Sequence, residues 1–339
     1  MNGAVALLLG GWLAASGAAW AAPVALDRLE RISAAGHEYV RVRDWAQANG
    51  LTTTWLQAGK AVRVANGAGN VVLTGDSRTA VVNGIGVWLS FPVLMRESQG
   101  FVALADLKTA LVPLLFPSKG AGRIRLIALD PGHGGKDKGF FHGSQFEKNY
   151  TLALAQEVRK QLVLAGQEAT LTRSTDAFVE LGERPDIAKR RRADLFVSLH
   201  FNSAGEAGNE AQGVEVYCAT PVGASSTNAR GEGANHGPVL GNLYNDRSVL
   251  LAWQLQKALV TRLGMEDRGV RRARFQVLCE AAMPAVLIEG GFLSHPAERR
   301  RIADASFRRQ MAKAVVEGIL AYKRTVESGN EAPRKRRPS

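Results

Sequence analysis

Apolar residues recur along this chain in two rhythms. Through residues 24–118 the rhythm is short and strand-like. Tyr39-Val-Arg-Val-Arg43, Thr52-Thr-Thr-Trp-Leu56, Ala61-Val-Arg-Val64, Asn70-Val-Val-Leu-Thr74 and Ala80-Val-Val-Asn83 each predict a strand, with turn residues such as Gly59-Lys60 between them. Val87-Trp-Leu89 and Phe101-Val-Ala-Leu104 continue the series, and residues 104–115 read as a helix. Asp44-Trp-Ala-Gln-Ala-Asn-Gly50 predicts a short helix with Asp44 as cap and Asn49-Gly50 as stop. Beyond residue 123 the rhythm changes, and strands alternate with long amphipathic helices. Strands are expected at 124–129, 168–172, 194–200, 214–218, 275–279 and 285–289. Helices are expected at 149–165, 247–263 and 304–324, carrying stripes such as Leu251, Leu255 and Leu259 or Met311, Val315 and Tyr322. Gly166 and Gly264 stop the first two.

This alternation predicts an α/β domain with a mainly parallel sheet flanked by helices, preceded by a small α+β domain. Pro117-Ser-Lys-Gly-Ala-Gly122 has the composition of a linker. The expected organisation is a signal peptide at 1–22, a small domain at 24–118, a linker at 119–123, a larger α/β domain at 124–325 and a basic disordered tail at 326–339. Residues 220–246 read as a long loop in which Asn242, Asn245 and Asp246 cap the following helix, and His236 is solvent-exposed.

Composition adds a compartment and a class of partner. The apolar run Ala4-Val-Ala-Leu-Leu-Leu-Gly-Gly-Trp-Leu-Ala-Ala15, followed by Ala19-Trp-Ala21, resembles a secretory signal and is shorter than a membrane span, so export to the periplasm or the exterior is expected. A net charge of +12 favours anionic surroundings such as cell-wall polymers, whereas the chain carries no DNA- or RNA-binding motif. Two cysteines, Cys218 and Cys279, are too few for a disulfide framework; each is expected at a strand end, either paired or as a buried thiol. The run Lys189-Arg-Arg-Arg192 reads as a solvated helix face, with contact to an anionic polymer as the alternative.

The candidate chemistry begins at Asp130-Pro-Gly-His-Gly-Gly135, where an apolar strand breaks into a glycine-rich turn that presents His133. His200 ends another expected strand, Glu289 ends the last, and Glu147 opens the first long helix. In a parallel sheet strand C-termini gather on one edge, together with the helix N-termini that follow them, so these four groups converge if their strands are neighbours. Two imidazoles and a carboxylate are a known catalytic zinc set, and a second carboxylate can move protons. Taken singly, each has a structural reading: a hydrogen-bonded strand-end histidine, or a first-turn glutamate that suits the helix dipole. His142 rivals Glu147 as third ligand, His295 is not expected to ligate, and Asp130 is a candidate outer-shell partner helping to hold the His133 imidazole.

Asp130-Pro-Gly-His-Gly-Gly-Lys-Asp-Lys-Gly139, Glu147-Lys148, Ala193-Asp-Leu-Phe-Val-Ser-Leu-His-Phe-Asn-Ser203 and Met283-Pro-Ala-Val-Leu-Ile-Glu-Gly-Gly-Phe-Leu-Ser294, in this order, resemble the zinc-dependent amidase 3 family of N-acetylmuramoyl-L-alanine amidases. Leu171-Thr-Arg-Ser-Thr-Asp176 and Asp267-Arg-Gly-Val270 are similar to further family segments. The resemblance implies Zn2+ held by His133, Glu147 and His200, with Glu289 as catalytic carboxylate. It implies hydrolysis of the amide between the lactyl group of N-acetylmuramic acid and L-alanine in peptidoglycan, during wall remodelling or cell separation. The alternatives are a zinc peptidase cutting within the stem peptide and a non-catalytic wall-binding protein. Phe201, Lys189, Gly290 and His295 depart from the family pattern, and Phe201 is expected to narrow the pocket. Residues 24–118 resemble the copper amine oxidase N-terminal-like domain, which implies a non-catalytic role and no copper site here.

Overall fold

The computed structural model describes residues 26–67, 69–120, 122–204, 210–227 and 237–328. The expected signal peptide, His236 and the tail beyond residue 328 lie outside the described residues. The N-terminal unit contains β1 (Arg31–Ala34), β2 (His37–Arg41), α1 (Val42–Ala48), β3 (Thr52–Gln57), β4 (Ala61–Ala65), β5 (Asn70–Thr74), β6 (Thr79–Val82), β7 (Ile85–Trp88), β8 (Leu94–Arg96) and β9 (Gln99–Ala103). It closes with a helical run of α2 (Leu104–Asp106), a π turn at Leu107–Leu111 and α3 (Val112–Leu115). Asp44 does not cap α1: Arg41 stands at the N-cap, and Asp44 lies in the first turn, where it accepts from Arg41 at 3.0 Å.

The second unit contains β10 (Leu126–Pro131), β11 (Phe141–His142), β12 (Gln145–Phe146), α4 (Glu147–Leu164), β13 (Glu168–Leu171), α5 (Glu183–Arg190), β14 (Leu195–Asn202) and β15 (Val214–Ala219). After a 3-10 turn at Leu240–Tyr244 come α6 (Asn245–Leu263), β16 (Asp267–Ala273), α7 (Gln276–Cys279), β17 (Ala285–Phe292), α8 (Pro296–Ala303) and α9 (Ala305–Glu327). Helix α9 reaches past the expected boundary at 325 because Val326 is buried in the core.

Two further expectations need correcting. Residues 275–279 form no strand. They start the short helix α7, and the strand is β16, whose Arg-rich sequence hides its pattern. Arg271 and Arg272 are buried among partners from β15 and the Leu107–Leu111 turn, so burial there does not follow hydropathy. Asn245 and Asp246 do not cap α6; Asn242 instead accepts from the Val239 N–H at the preceding 3-10 turn. No disulfide joins Cys218 and Cys279.

A single eleven-stranded sheet crosses both units in the order β13-β10-β14-β17-β15-β16-β7-β6-β5-β4-β3. Strands β13, β10, β14 and β17 run parallel; β15 lies antiparallel to β17, and β16 follows β15. The reversal brings the start of β15, at Glu215, to the edge where β14 and β17 end. Strand β7 joins β16 through Val87 and Val270, and from there the N-terminal strands form an antiparallel meander. Residues 117–122 therefore connect two units that share a sheet, and Gly120 is pinned to Val326 O at 2.9 Å.

Alternate residues of each strand face opposite layers. Ile127, Leu129, Leu195, Val197, Val286 and Ile288 meet the apolar stripes of α4, α6 and α9. Ala128, Phe196, Ala285 and Leu287 face the smaller cluster with Ala188 of α5 and Leu278 of α7. His200, Glu289 and Glu215 have the parity of this second face, so the site opens on the thinly covered side.

Candidate metal centre

The turn after β10 is held by side chains because its carbonyls leave the strand ladder. Arg184 donates to Pro131 O at 2.9 Å and His133 O at 2.8 Å, while Arg173 donates to Pro131 O at 2.9 Å and Gly132 O at 2.8 Å. Both arginines are buried, and Arg184 also pairs with Asp130 at 2.9 Å. Asp130 accepts further bonds from Thr172 at 2.5 Å and Ser198 at 2.7 Å. It therefore anchors the base of the turn, and among the described residues its carboxylate accepts from these three side chains and not from an imidazole, contrary to the expected outer-partner role.

His133 adopts φ +61°, a left-handed conformation that is uncommon for a side-chain-bearing residue, and Gly134 and Gly135 follow it at +125° and +57°. The conformation swings the imidazole back over the sheet edge. Its Nδ1 lies 2.8 Å from Asp137 Oδ2, and its Nε2 lies 3.0 Å from Glu147 Oε1. A proton on Nδ1, given to Asp137, leaves the Nε2 lone pair facing the centre. His200 Nδ1 lies 3.1 Å from the same Glu147 oxygen, and the two rings meet edge-on at 4.8 Å.

Glu147, the first residue of α4, is buried and accepts N–H groups from Phe201 at 3.1 Å and Phe140 at 3.0 Å. Burial opposes its charge, but the contacts with His133 and His200 outweigh burial and hold the carboxyl well below its ordinary range. Burial likewise works against a charged His133, but Glu147 and Asp137 raise its pKa. Donor atoms of His133, Glu147 and His200 all lie within 4.8 Å of one another. Two glycines make the approach possible. A Cβ at Gly132 would stand 2.2 Å from the His200 ring, and one at Gly139 would stand 2.5 Å from Glu147 Oε2.

Glu289 pairs with His200 in the β14–β17 register, so both side chains share one face. Its Oε2 is shielded from water and has no hydrogen-bond partner among the described residues. Burial, reinforced by the negative charges of Glu147 and Glu215, raises its pKa well above the ordinary 4.5. A buried carboxylate oxygen without a donor suits a site completed by a cation or by a substrate proton. A cleft of about 450 Å³ opens over these groups, walled by Leu181, Phe275 and Val277.

The four predicted residues thus come together, whereas the rival His142 is exposed on β11. His295 caps α8, accepting from the Glu298 N–H at 3.3 Å. Phe201 is among the residues that line the cleft. It is buried edge-on to Tyr150, and Gly290 makes room for it: a Cβ there would lie 3.2 Å from Phe201 Cε1. Lys189 and Arg190 are exposed, as a solvated face requires, but Arg191 reaches Leu171 O on β13 at 2.7 Å. Sequence reasoning missed Asp137 and Arg184 as site residues. Asp137 stood four residues after His133 in a glycine-rich run, which was the available signal; Arg184 sat in an ordinary charged helix with none.

Residues 127–321, more than half of the chain, match the family described as N-acetylmuramoyl-L-alanine amidase, and residues 23–112 match the copper amine oxidase N-terminal domain. N-acetylmuramoyl-L-alanine amidase AmiC of Neisseria meningitidis is 34% identical over 241 residues, covering 64% of this chain and 57% of that protein. AmiA of Escherichia coli, which carries the same enzyme name, is 35% identical over 229 residues, covering 60% of this chain and 78% of that protein. The solved structure of amidase AmiC2 of Nostoc punctiforme is 34% identical and superposes with a TM-score of 0.49 over 60% of this chain and 98% of its own.

Proposed function

The chain belongs to the N-acetylmuramoyl-L-alanine amidase family, and from that premise we propose a zinc-dependent hydrolase of the amide between the lactyl group of N-acetylmuramic acid and L-alanine in peptidoglycan. The observation that carries this reading is the convergence of His133, Glu147 and His200 within 4.8 Å beside the unpartnered oxygen of Glu289. Two imidazoles and a carboxylate fit zinc and leave room for further ligands.

Zinc held by these three residues would supply Lewis acidity and acidify water. The chain's own residues do the rest. Asp137 holds the His133 ring in the tautomer that presents Nε2 inward. Glu289 takes the proton of the attacking water and passes it to the departing L-alanine nitrogen; burial and the neighbouring carboxylates raise its basicity, and the charge of a bound cation would favour the carboxylate form that accepts the proton. Leu181, Phe275 and Val277 limit water on one side of the cleft. Because peptidoglycan lies outside the cytoplasmic membrane, the reading requires export, consistent with the apolar N-terminal segment, and makes the enzyme periplasmic or secreted. No described helix is long and apolar enough to cross a membrane.

Digestion of purified sacculi tests the reading. Free stem peptides beginning with L-alanine are expected, with stoichiometric zinc in protein purified without chelator. Shortened peptides still attached to sugar would establish a peptidase instead. No product and no metal would leave a wall-binding protein.

A further inference from the structure

The second face of the sheet carries a row of polar and aromatic side chains from the metal centre into the N-terminal unit. His200 on β14 pairs with Glu289 on β17, and Glu289 pairs with Glu215 on β15. Glu215 is 1% exposed, and two guanidinium groups of β16 clamp one of its oxygens, Arg271 at 2.7 Å and Arg268 at 3.2 Å. Its other oxygen accepts from Tyr217 OH at 3.1 Å and from the Asn202 side-chain amide. Asn202 lines the cleft.

The row continues across the unit boundary. Trp88, the last residue of β7, lies under the Arg271 guanidinium, whose carbon is 4.6 Å from the ring centroid, and its Nε1 donates to Arg268 O at 3.2 Å. Gly86 N donates to Asp267 Oδ2 at 2.8 Å. Gly269 lets the strands close, since a Cβ there would stand 2.9 Å from Gly86 O and 3.3 Å from the Trp88 ring. A guanidinium stacked on an indole loses freedom and keeps its fork aimed.

We propose that Glu215 is a positioning residue for the cleft, fixing Asn202 beside Glu289, and that the N-terminal unit braces it through Trp88 and the Arg268–Arg271 pair. The N-terminal unit is then part of the catalytic scaffold and not only a neighbour on the chain. The proposal rests on the hydrolase reading for its effect on turnover, whereas the brace itself is a statement about coupling between side chains.

The test uses the full chain with Trp88→Ala, Trp88→Phe, Glu215→Gln and the double variant Trp88→Ala/Glu215→Gln. On a soluble muropeptide, Trp88→Ala is expected to lower kcat roughly ten-fold with KM and bound zinc unchanged, as a small misplacement near the reacting groups does. Trp88→Phe keeps a ring under Arg271 and should recover most of the loss. Glu215→Gln should lower kcat further, and adding Trp88→Ala to it should change little, because the ring acts through Glu215. A Trp88→Ala kcat within about two-fold of the parent, or losses that multiply in the double variant, would overturn the proposal. Urea unfolding of the same four proteins keeps the brace testable if the parent releases no stem peptide. Non-additive midpoint shifts support it, additive shifts sink it, and the missing product counts only against the hydrolase reading. Should Trp88→Ala not fold, Arg271→Lys, which keeps the charge without the planar stack, must show the same kcat loss at constant KM.

Discussion

One sheet serves both units, yet the candidate metal centre lies in one half of it. In the N-terminal half β3 to β7 meander antiparallel, so successive strand ends alternate between the two edges. Residues distant in sequence are not gathered there, and the inward positions Val62, Val64, Val71, Leu73, Ala80 and Val82 are all apolar. In the second half β10, β14 and β17 run parallel, and their ends bring His133, His200 and Glu289 to one edge, with Glu147 opening α4 beside them. The difference lies in direction, not in composition: parallel strands accumulate ends, whereas a meander disperses them. The other half contributes packing, and through Trp88 it also contributes a brace.

The contrast is broken most completely at Glu289. Glu289→Ala or His133→Ala should lower the rate of stem-peptide release by roughly a thousand-fold or more, since a proton carrier or a ligand is lost. Product analysis on sacculi measures it, and near-parental release from either variant would refute the assignment. Gly132→Ala should come next. The added methyl has nowhere to go but into the His200 ring, so zinc content by elemental analysis should fall well below one per chain. Asp137→Asn removes the carboxylate behind His133 and should weaken zinc binding by roughly 10- to 100-fold in chelator competition.

Smaller effects sharpen the other side of the comparison. Leu73→Ala, in the apolar N-terminal core, should cost about 2–5 kcal/mol of stability in urea unfolding, while the kcat of the folded fraction stays that of the parent. A proportionate loss of kcat would show that the meander tunes the site more widely than Trp88 does. Glu289→Gln should stabilise the metal-free protein at pH 7 by about 1–2 kcal/mol while removing activity, the usual exchange at a strained site. The sign follows from the raised pKa. Above the ordinary 4.5 the unfolded chain gives up a proton that folded Glu289 retains, so stability falls as pH rises from there through the folded-state value. The amide variant should lack this fall in thermal unfolding against pH, and an unchanged slope would mean that another group is responsible.

Much of the second unit was legible because its signals are local. The apolar run before Asp130-Pro-Gly-His, the stripes of α6 and α9 and the glycine stops at Gly166 and Gly264 are set by short-range packing and backbone preference. The site residues were legible as strand and helix ends. The strand β16 was not, since Arg268, Arg271 and Arg272 look solvated in sequence, yet Arg271 and Arg272 are buried and Arg268 half-buried because Glu215, Cys218 and Thr109 receive them. Asp130 was misjudged for a similar reason: its partners Thr172, Arg184 and Ser198 come from three other segments.

Pattern and turn chemistry by themselves determined that a strand would end at Asp130-Pro-Gly-His-Gly-Gly135, that a histidine would be displayed there, and that alternating strands and helices would form an α/β layer. These depend on neighbours within a few residues. Tertiary structure alone decided that Asp137, and not Asp130, backs His133, that the linker joins two parts of one sheet, and that β15 reverses to set Glu215 beside Glu289. Each of those depends on strand order and direction, which arise from the closure of the whole core and leave no mark on any single segment.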